Sequence, residues 1–229
     1  MKTELFQIIL LMSYIYYMEL TQSIQQYASY PIPHHVMSWL LREYRQPNDK
    51  IHYLIKEGAL EQVKRGLYIA GPAITPFRPE PFLMANHILG PSYVSLESAL
   101  AHHGLIPEKV YEISSVTTKA RRKFSTPLGV FSYTKLPLPY YSYGMRSVEV
   151  DSQHRFLIAS PEKALFDKII TTAGVEFRSK NNVLTYLEED LRLDKDALKE
   201  LDVSLMETWI STSPKRNSLS MLMETIRQQ

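Results

Sequence analysis

The sequence predicts an α+β protein: an N-terminal winged helix-turn-helix, then a larger domain with a mixed β-sheet and flanking helices, with a helical C-terminus. Three observations predict it. Two short apolar-striped helical segments, a tight turn between them, and then a hairpin fill residues 32–70. The stretch Gly71 to Pro81 carries Pro72, Pro76, Pro79 and Pro81, which forbid continuous helix and interrupt any central strand. Beyond it, helical spacing alternates with runs rich in Val, Ile, Tyr, Phe and Thr. The organisation expected is a first domain over 1–70, a linker over 71–81 and a C-terminal α/β domain over 82–229, sizes that suit independent folding.

Composition narrows the function classes. Hydrophobic residues at 45% and charged residues at 22% are those of a globular chain. A net charge of +2 gives no whole-molecule field toward nucleic acid, so a nucleic-acid face has to be local. The lack of cysteine excludes disulfides, thiolate zinc sites and cysteine nucleophiles, and fits a reducing, cytoplasmic setting. The apolar stretch Leu5 to Met18 is shorter than a membrane span of about 20 residues. No small-residue cleavage site follows it, so the expectation is a buried first helix and no membrane partner.

In the first domain, Val36, Leu40 and Tyr44, with Met37 and Leu41 beside them, give one helix an apolar stripe. Arg45-Gln46-Pro47-Asn48 ends it, because the residue before proline is pushed out of helical geometry. A second helix is expected to begin at Asn48 as N-cap, to bury Ile51, Leu54 and Ile55, and to close at Gly58. A strand at Leu60 to Val63, the turn Lys64-Arg65-Gly66 and a return strand at Leu67 to Ala70 then read as a β-wing. The second helix leaves Lys50, His52, Tyr53 and Lys56 off its apolar side, as a helix in the major groove requires. Lys64 and Arg65 at the wing tip suit phosphate or minor-groove contact. The same side chains would equally serve as an ordinary solvated face.

In the second domain, Phe82, Ala85, Asn86 and Leu89 predict a helix, and a further helix is expected from Leu96 to His103, with Ser95 as N-cap and Gly104 as its stop. Strands are expected at Val110–Thr118, Gly129–Leu136, Ser147–Val150 and Arg155–Ile158. Ser160-Pro161-Glu162 marks a helix to about Thr172. From Asn181 to Arg227 helical spacing continues, with breaks near Asp194, Val203 and Pro214. A basic cluster, Lys119, Arg121, Arg122 and Lys123, falls between two expected strands. It is either a solvated hairpin turn or an additional phosphate contact.

Three phrases in order carry a resemblance: Lys64-Arg65-Gly66-Leu67-Tyr68 after the helix pair, Tyr93 to Leu100 followed by His103-Gly104-Leu105-Ile106-Pro107, and Ser160 to Asp167. From about Ile32 to its end the chain resembles the AbiEi-type antitoxins, the transcriptional regulators of type IV toxin-antitoxin and abortive-infection systems, a phage-defence setting. The resemblance implies that the N-terminal domain binds inverted repeats in the operator of its own operon and represses it. It also implies that the C-terminal domain counteracts a co-encoded nucleotidyltransferase toxin without a stable complex. Inverted repeats call for two protomers on one site. The apolar N-terminus before Thr21 departs from the pattern.

Enzyme chemistry finds little support. His34-His35 and His102-His103 are adjacent pairs, which point about 100° apart on a helix and rarely share an ion, so neither a metal nor a cofactor is expected. Neither a G-x-S-x-G elbow nor a glycine-rich phosphate loop occurs. Asp194 and Asp196 have D-x-D spacing but open an expected helix, which capping explains. Glu97 and Glu162 fall in first turns, where a helix dipole favours them. A nuclease-like reading would use Glu97, Glu112 and Lys119, whose order forms no recognised motif. A direct toxin-binding interaction module is the competing non-enzymatic reading.

Overall fold

The computed structural model describes residues 2–107 and 111–228 as a mixed α+β protein. The chain divides into two compact units, Met1–Glu80 with Thr126–Leu128, and Pro81–Ser125 with Gly129–Gln229.

The first unit begins with helix α1 (Lys2–Gln25). Strand β1 (Ile32–Pro33), helices α2 (His34–Leu40) and α3 (Pro47–Lys56), and strands β2 (Leu60–Lys64) and β3 (Leu67–Ala70) follow. The strands form an antiparallel sheet in the order β1-β3-β2. Its core joins Leu20 and Ile24 of α1 to Met37 and Leu41, to Ile51 and Leu54 of α3, and to Leu60 and Tyr68 of the hairpin. In α2 and α3 the apolar positions read from the sequence pack here, Met37, Leu41, Ile51 and Leu54 in the core and Val36, Leu40, Tyr44 and Ile55 partly buried against it.

Two expectations for this unit are corrected. Helix α3 starts one residue before Asn48, at Pro47. The fixed φ of proline suits the first helical position and its missing N–H is no loss there. Gln46 occupies the cap position without a side-chain bond, and Asn48 lies exposed in the first turn. The second correction concerns α1, expected to be buried over Leu5–Met18. Leu11, Met12, Tyr14, Ile15, Tyr16 and Met18 are exposed, and burial begins at Leu20. The expected burial of Leu5, Phe6, Ile8, Ile9 and Leu10 lies outside the described side chains. Among the described residues no helix is long and apolar enough to cross a membrane. The proline-rich stretch starts as part of this unit: the Gly71 and Ala73 amides donate to Ala59 and Gly58, and Arg78 pairs with Glu61 at 2.9 Å.

The second unit is built on a mixed six-stranded sheet in the order β6-β7-β5-β4-β9-β8. Its strands are β4 (Ser92–Val94), β5 (Glu112–Thr117), β6 (Arg122–Thr126), β7 (Gly129–Lys135), β8 (Met145–Glu149) and β9 (Arg155–Ala159). Pairs β5–β7 and β4–β9 are parallel, whereas β4–β5 and β8–β9 are antiparallel. Helices α4 (Pro81–Ile88), α5 (Leu96–His102) and α6 (Pro161–Thr171) belong to this unit, and α7 (Lys180–Thr185), α8 (Lys195–Lys199), α9 (Val203–Glu207) and α10 (Arg216–Ile226) complete it. The expected start of the second-unit sheet at Val110 lies outside the described residues. Strands β4 and β6, not expected as strands, take up Tyr93-Val94 and the end of the basic cluster.

A buried polar network joins these layers. Lys163 and Asp167, one turn apart on α6, are both wholly buried with Nζ 2.9 Å from Oδ1. Asp167 also accepts from the hydroxyls of Tyr140 (2.9 Å), Tyr93 (2.9 Å) and Ser95 (2.8 Å). Four donors thus meet the four lone-pair sites of one carboxylate. Lys163 donates to the Tyr140 carbonyl at 3.1 Å and lies 3.2 Å from the centre of the Tyr140 ring. Burial pushes the Lys163 ammonium down and the neighbouring carboxylate opposes it. Burial and the Asp167 charge push both the Tyr93 and the Tyr140 phenols well up. Asp167→Ala should lower the unfolding free energy by about 3–5 kcal/mol, because an uncompensated buried ammonium remains. The double variant Lys163→Met/Asp167→Leu should recover only part, since three hydroxyls lose their acceptor. Chemical denaturation checks both; full recovery in the double variant would reduce the network to a simple ion pair.

Candidate nucleic-acid interface

In the first unit, α3 buries Ile51 and Leu54 and turns Asn48, His52, Tyr53 and Lys56 to solvent. That solvent face also carries Asp49, so it is not purely cationic. Lys50 departs from the expected outward orientation. Its ammonium lies over the rings of Tyr53 (4.5 Å), Tyr44 (5.2 Å) and Tyr17 (5.4 Å), and desolvation lowers its pKa. Helix α1 thus supplies one wall of the aromatic box around Lys50, and the lysine sits at the edge of the face, half-buried.

The hairpin that follows is bulged. Gln62 opposes Tyr68 and Lys64 opposes Leu67, which leaves Val63 as the extra residue and increases the local twist. Gly66 takes φ +77, a left-handed conformation that lets the chain reverse, and its carbonyl accepts from the His34 amide at 2.9 Å. The tip is therefore tied to the start of α2. Arg65 is exposed there and Lys64 half-exposed.

The other basic cluster belongs to the second unit. Arg121 precedes β6, and Arg122 and Lys123 begin that edge strand, so the cluster is only partly the loop expected; all three are exposed. Lys123 pairs with Glu112, and this bond, with one from Ser132, holds the Glu112 carboxyl below its usual range. Lys119 is turned elsewhere, onto the Gly90 carbonyl. Of the three residues of the nuclease-like reading, Glu97 and Glu112 line one cavity and Lys119 does not.

The remaining motif residues have structural partners. Glu162 accepts from the Ser160 hydroxyl (2.7 Å) and from the Asp202 amide (3.3 Å), linking α6 to the start of α9. Asp194 caps α8 through the amides of Asp196 and Ala197, as its position implied. Ser95, expected to cap α5, instead donates its hydroxyl to Asp167. Nothing in the bare sequence signalled Lys168, which pairs with Glu97 across α5 and α6, or the network around Asp167 beyond the i, i+4 spacing of Lys163 and Asp167. Among the described residues no three metal-ligating side chains converge.

The fold has a counterpart among solved structures. It is shared with the RV2827C protein of Mycobacterium tuberculosis. That crystal structure superposes with a TM-score of 0.63 over 93% of this chain and 77% of the other, at 15% identity, a likeness that speaks to fold alone. No protein-family model matches the chain, and no characterised protein matches it in sequence.

The Nε2–H of His103 donates to the Ala159 carbonyl at 2.8 Å, and burial, with His102 and Arg146 nearby, holds its pKa below the ordinary histidine value. The unfolded chain therefore takes up this proton first as pH falls below about 6.5. The stabilisation is complete above that pH and is lost on acidification toward the folded value. The melting temperature should fall between neutral pH and pH about 5.5, and His103→Gln, which cannot titrate, should flatten that part of the profile.

Proposed function

We propose that the chain is a DNA-binding transcriptional autorepressor and the antitoxin of a type IV toxin-antitoxin system. The observation that supports DNA binding is the set on one helix–hairpin unit: Asn48, His52, Tyr53 and Lys56 exposed on α3, with the exposed Arg65 and half-exposed Lys64 at the reversed hairpin tip. In this reading the unit is a winged helix-turn-helix. Helix α3 enters the major groove with its outward side chains on base edges, and the wing cations contact phosphates. Lys50 positions Tyr53 from beneath through its ring contact. Arg121, Arg122 and Lys123 contribute further phosphate contacts from the second unit.

The antitoxin half of the reading is supported by the three ordered motifs alone. Its partners are operator DNA with inverted repeats, bound by two protomers, and a nucleotidyltransferase toxin encoded beside it and counteracted without a stable complex. The exposed apolar residues Leu11, Met12, Tyr14 and Ile15 of α1 favour one alternative, in which the chain meets that toxin directly. Co-purification of a stable complex with the neighbouring gene product distinguishes it.

The decisive test is an anisotropy titration of the full chain against its own upstream promoter and a scrambled duplex, at two salt concentrations. Promoter-selective binding is expected. Lys64→Ala/Arg65→Ala should weaken binding to both duplexes and reduce the salt slope by up to about 2, one counterion per lost phosphate contact. Equal weak binding to both duplexes would remove the operator reading, and an unchanged slope would remove the wing.

A further inference from the structure

The second unit contains a cavity of about 530 Å³, and of its lining the DNA-binding reading uses Arg121 alone. Its size is within the range of small-molecule sites. One wall is the sheet face on which Glu112 and Ser114 of β5 lie beside Ser132 and Thr134 of β7, with Ser114 and Ser132 in register. The other comes from the helices, through Glu97 at the start of α5 and Lys168, Thr171 and Thr172 at the end of α6. Arg121 and Tyr111 complete the lining, and Tyr111 is 85% exposed.

Three features together indicate the ligand. First, Leu96 lines the cavity with φ 56, a left-handed conformation that costs energy for a branched side chain. The surrounding bonds hold it there, with Ser95 fixed on Asp167 and the Ser98 amide on the Ser114 hydroxyl at 3.1 Å. Second, both carboxylates carry lysine partners, Glu97 with Lys168 and Glu112 with Lys123. Their oxygens stand as acceptors on the cavity wall, while Arg121 brings a guanidinium whose planar fork matches phosphate. Third, the wall between them is hydroxyl-bearing, which suits a polyol and not a lipid or aliphatic ligand.

We propose that this cavity binds a nucleoside monophosphate. Its phosphate pairs with Arg121, its sugar hydroxyls donate to Glu97 and Glu112, and its planar base stacks on Tyr111 at the mouth. Serine and threonine hydroxyls fill the remaining donors and acceptors.

Isothermal titration calorimetry of the full chain tests this with three probes: a purine nucleoside 5′-monophosphate, the matching nucleoside, and inorganic phosphate. Saturable binding of the monophosphate is expected, tighter than either fragment. Arg121→Ala, an exposed position whose loss spares the core, should weaken it about tenfold, the effect of one charge-assisted hydrogen bond. Arg155→Ala, a surface cation outside the cavity, should leave it unchanged. Absence of saturation at millimolar monophosphate would overturn the site. So would a nucleoside that binds as tightly as its monophosphate, or equal losses in the two arginine variants. Because none of the probes is a duplex, the outcome is separate from promoter binding.

Discussion

A lysine without solvent exposure keeps its charge only where donors and acceptors are matched around it, and in the second unit that match is made by Lys163 and Asp167. What makes the pair more than a local feature is where its other partners come from. Tyr93 lies on β4, Ser95 at the entry to α5, Tyr140 in the turn after β7, and the pair itself on α6. One carboxylate thereby fixes a central strand, two helices and a return loop. The space around it is equally constrained: Gly144 has φ +61, and a Cβ there would stand 2.7 Å from Lys163 Cβ and 2.8 Å from the Trp209 ring. A side chain at 144 would have to displace the buried lysine or the indole.

The first unit is organised differently, by apolar packing with a cation at its margin. Leu20 and Ile24 of α1 close the core that Met37, Leu41, Ile51 and Leu54 begin. The same helix brings Tyr17 over Lys50, so α1 both completes the unit and conditions one end of the face used by α3. At Leu11, Met12, Tyr14, Ile15 and Tyr16 the helix extends apolar side chains into solvent. A helix apolar all round is normally covered on every side. The half of α1 that meets the core is amphipathic, with Leu20 and Ile24 buried and Glu19, Gln22 and Gln25 in solvent; the exposed apolar stretch before it is where an interaction with another molecule is energetically favoured.

Much of this was legible in the sequence, and the failures have identifiable causes. The hairpin at Leu60–Ala70, the helix after Ser160 and the breaks near Asp194 and Val203 were set by local chemistry: glycine at positive φ, proline at a first helical position, and aspartates that cap. Strand β4 was missed because three residues buried on all sides, Ser92 to Val94, show no alternation. Strand β6 was missed because an edge strand with Arg, Lys, Ser and Thr around the single apolar Phe124 reads as a solvated loop. Asn48 and Ser95 have the right chemistry for caps, yet Pro47 pre-empts the first and a tertiary acceptor, Asp167, claims the second. The candidate site divides the same way. Exposure on α3 follows from helical period, whereas the pairing of Glu97 with Lys168 depends on tertiary contact between helices far apart in the chain.

The buried pair and the cavity are connected through a single turn of backbone. The Ser95 hydroxyl is turned onto Asp167 and accepts no amide of α5, and the chain enters the helix through the left-handed Leu96. That turn directs Glu97 toward Lys168, which lies on α6 directly after Asp167. Consecutive residues of one helix therefore serve two ends: Asp167 faces inward and holds Ser95, the neighbour of the strained Leu96, and Lys168 is on the cavity wall and pairs with Glu97. Loosening the inner residue would release the outer contact without touching it, so a change at Asp167 is felt at the cavity through geometry as well as through stability.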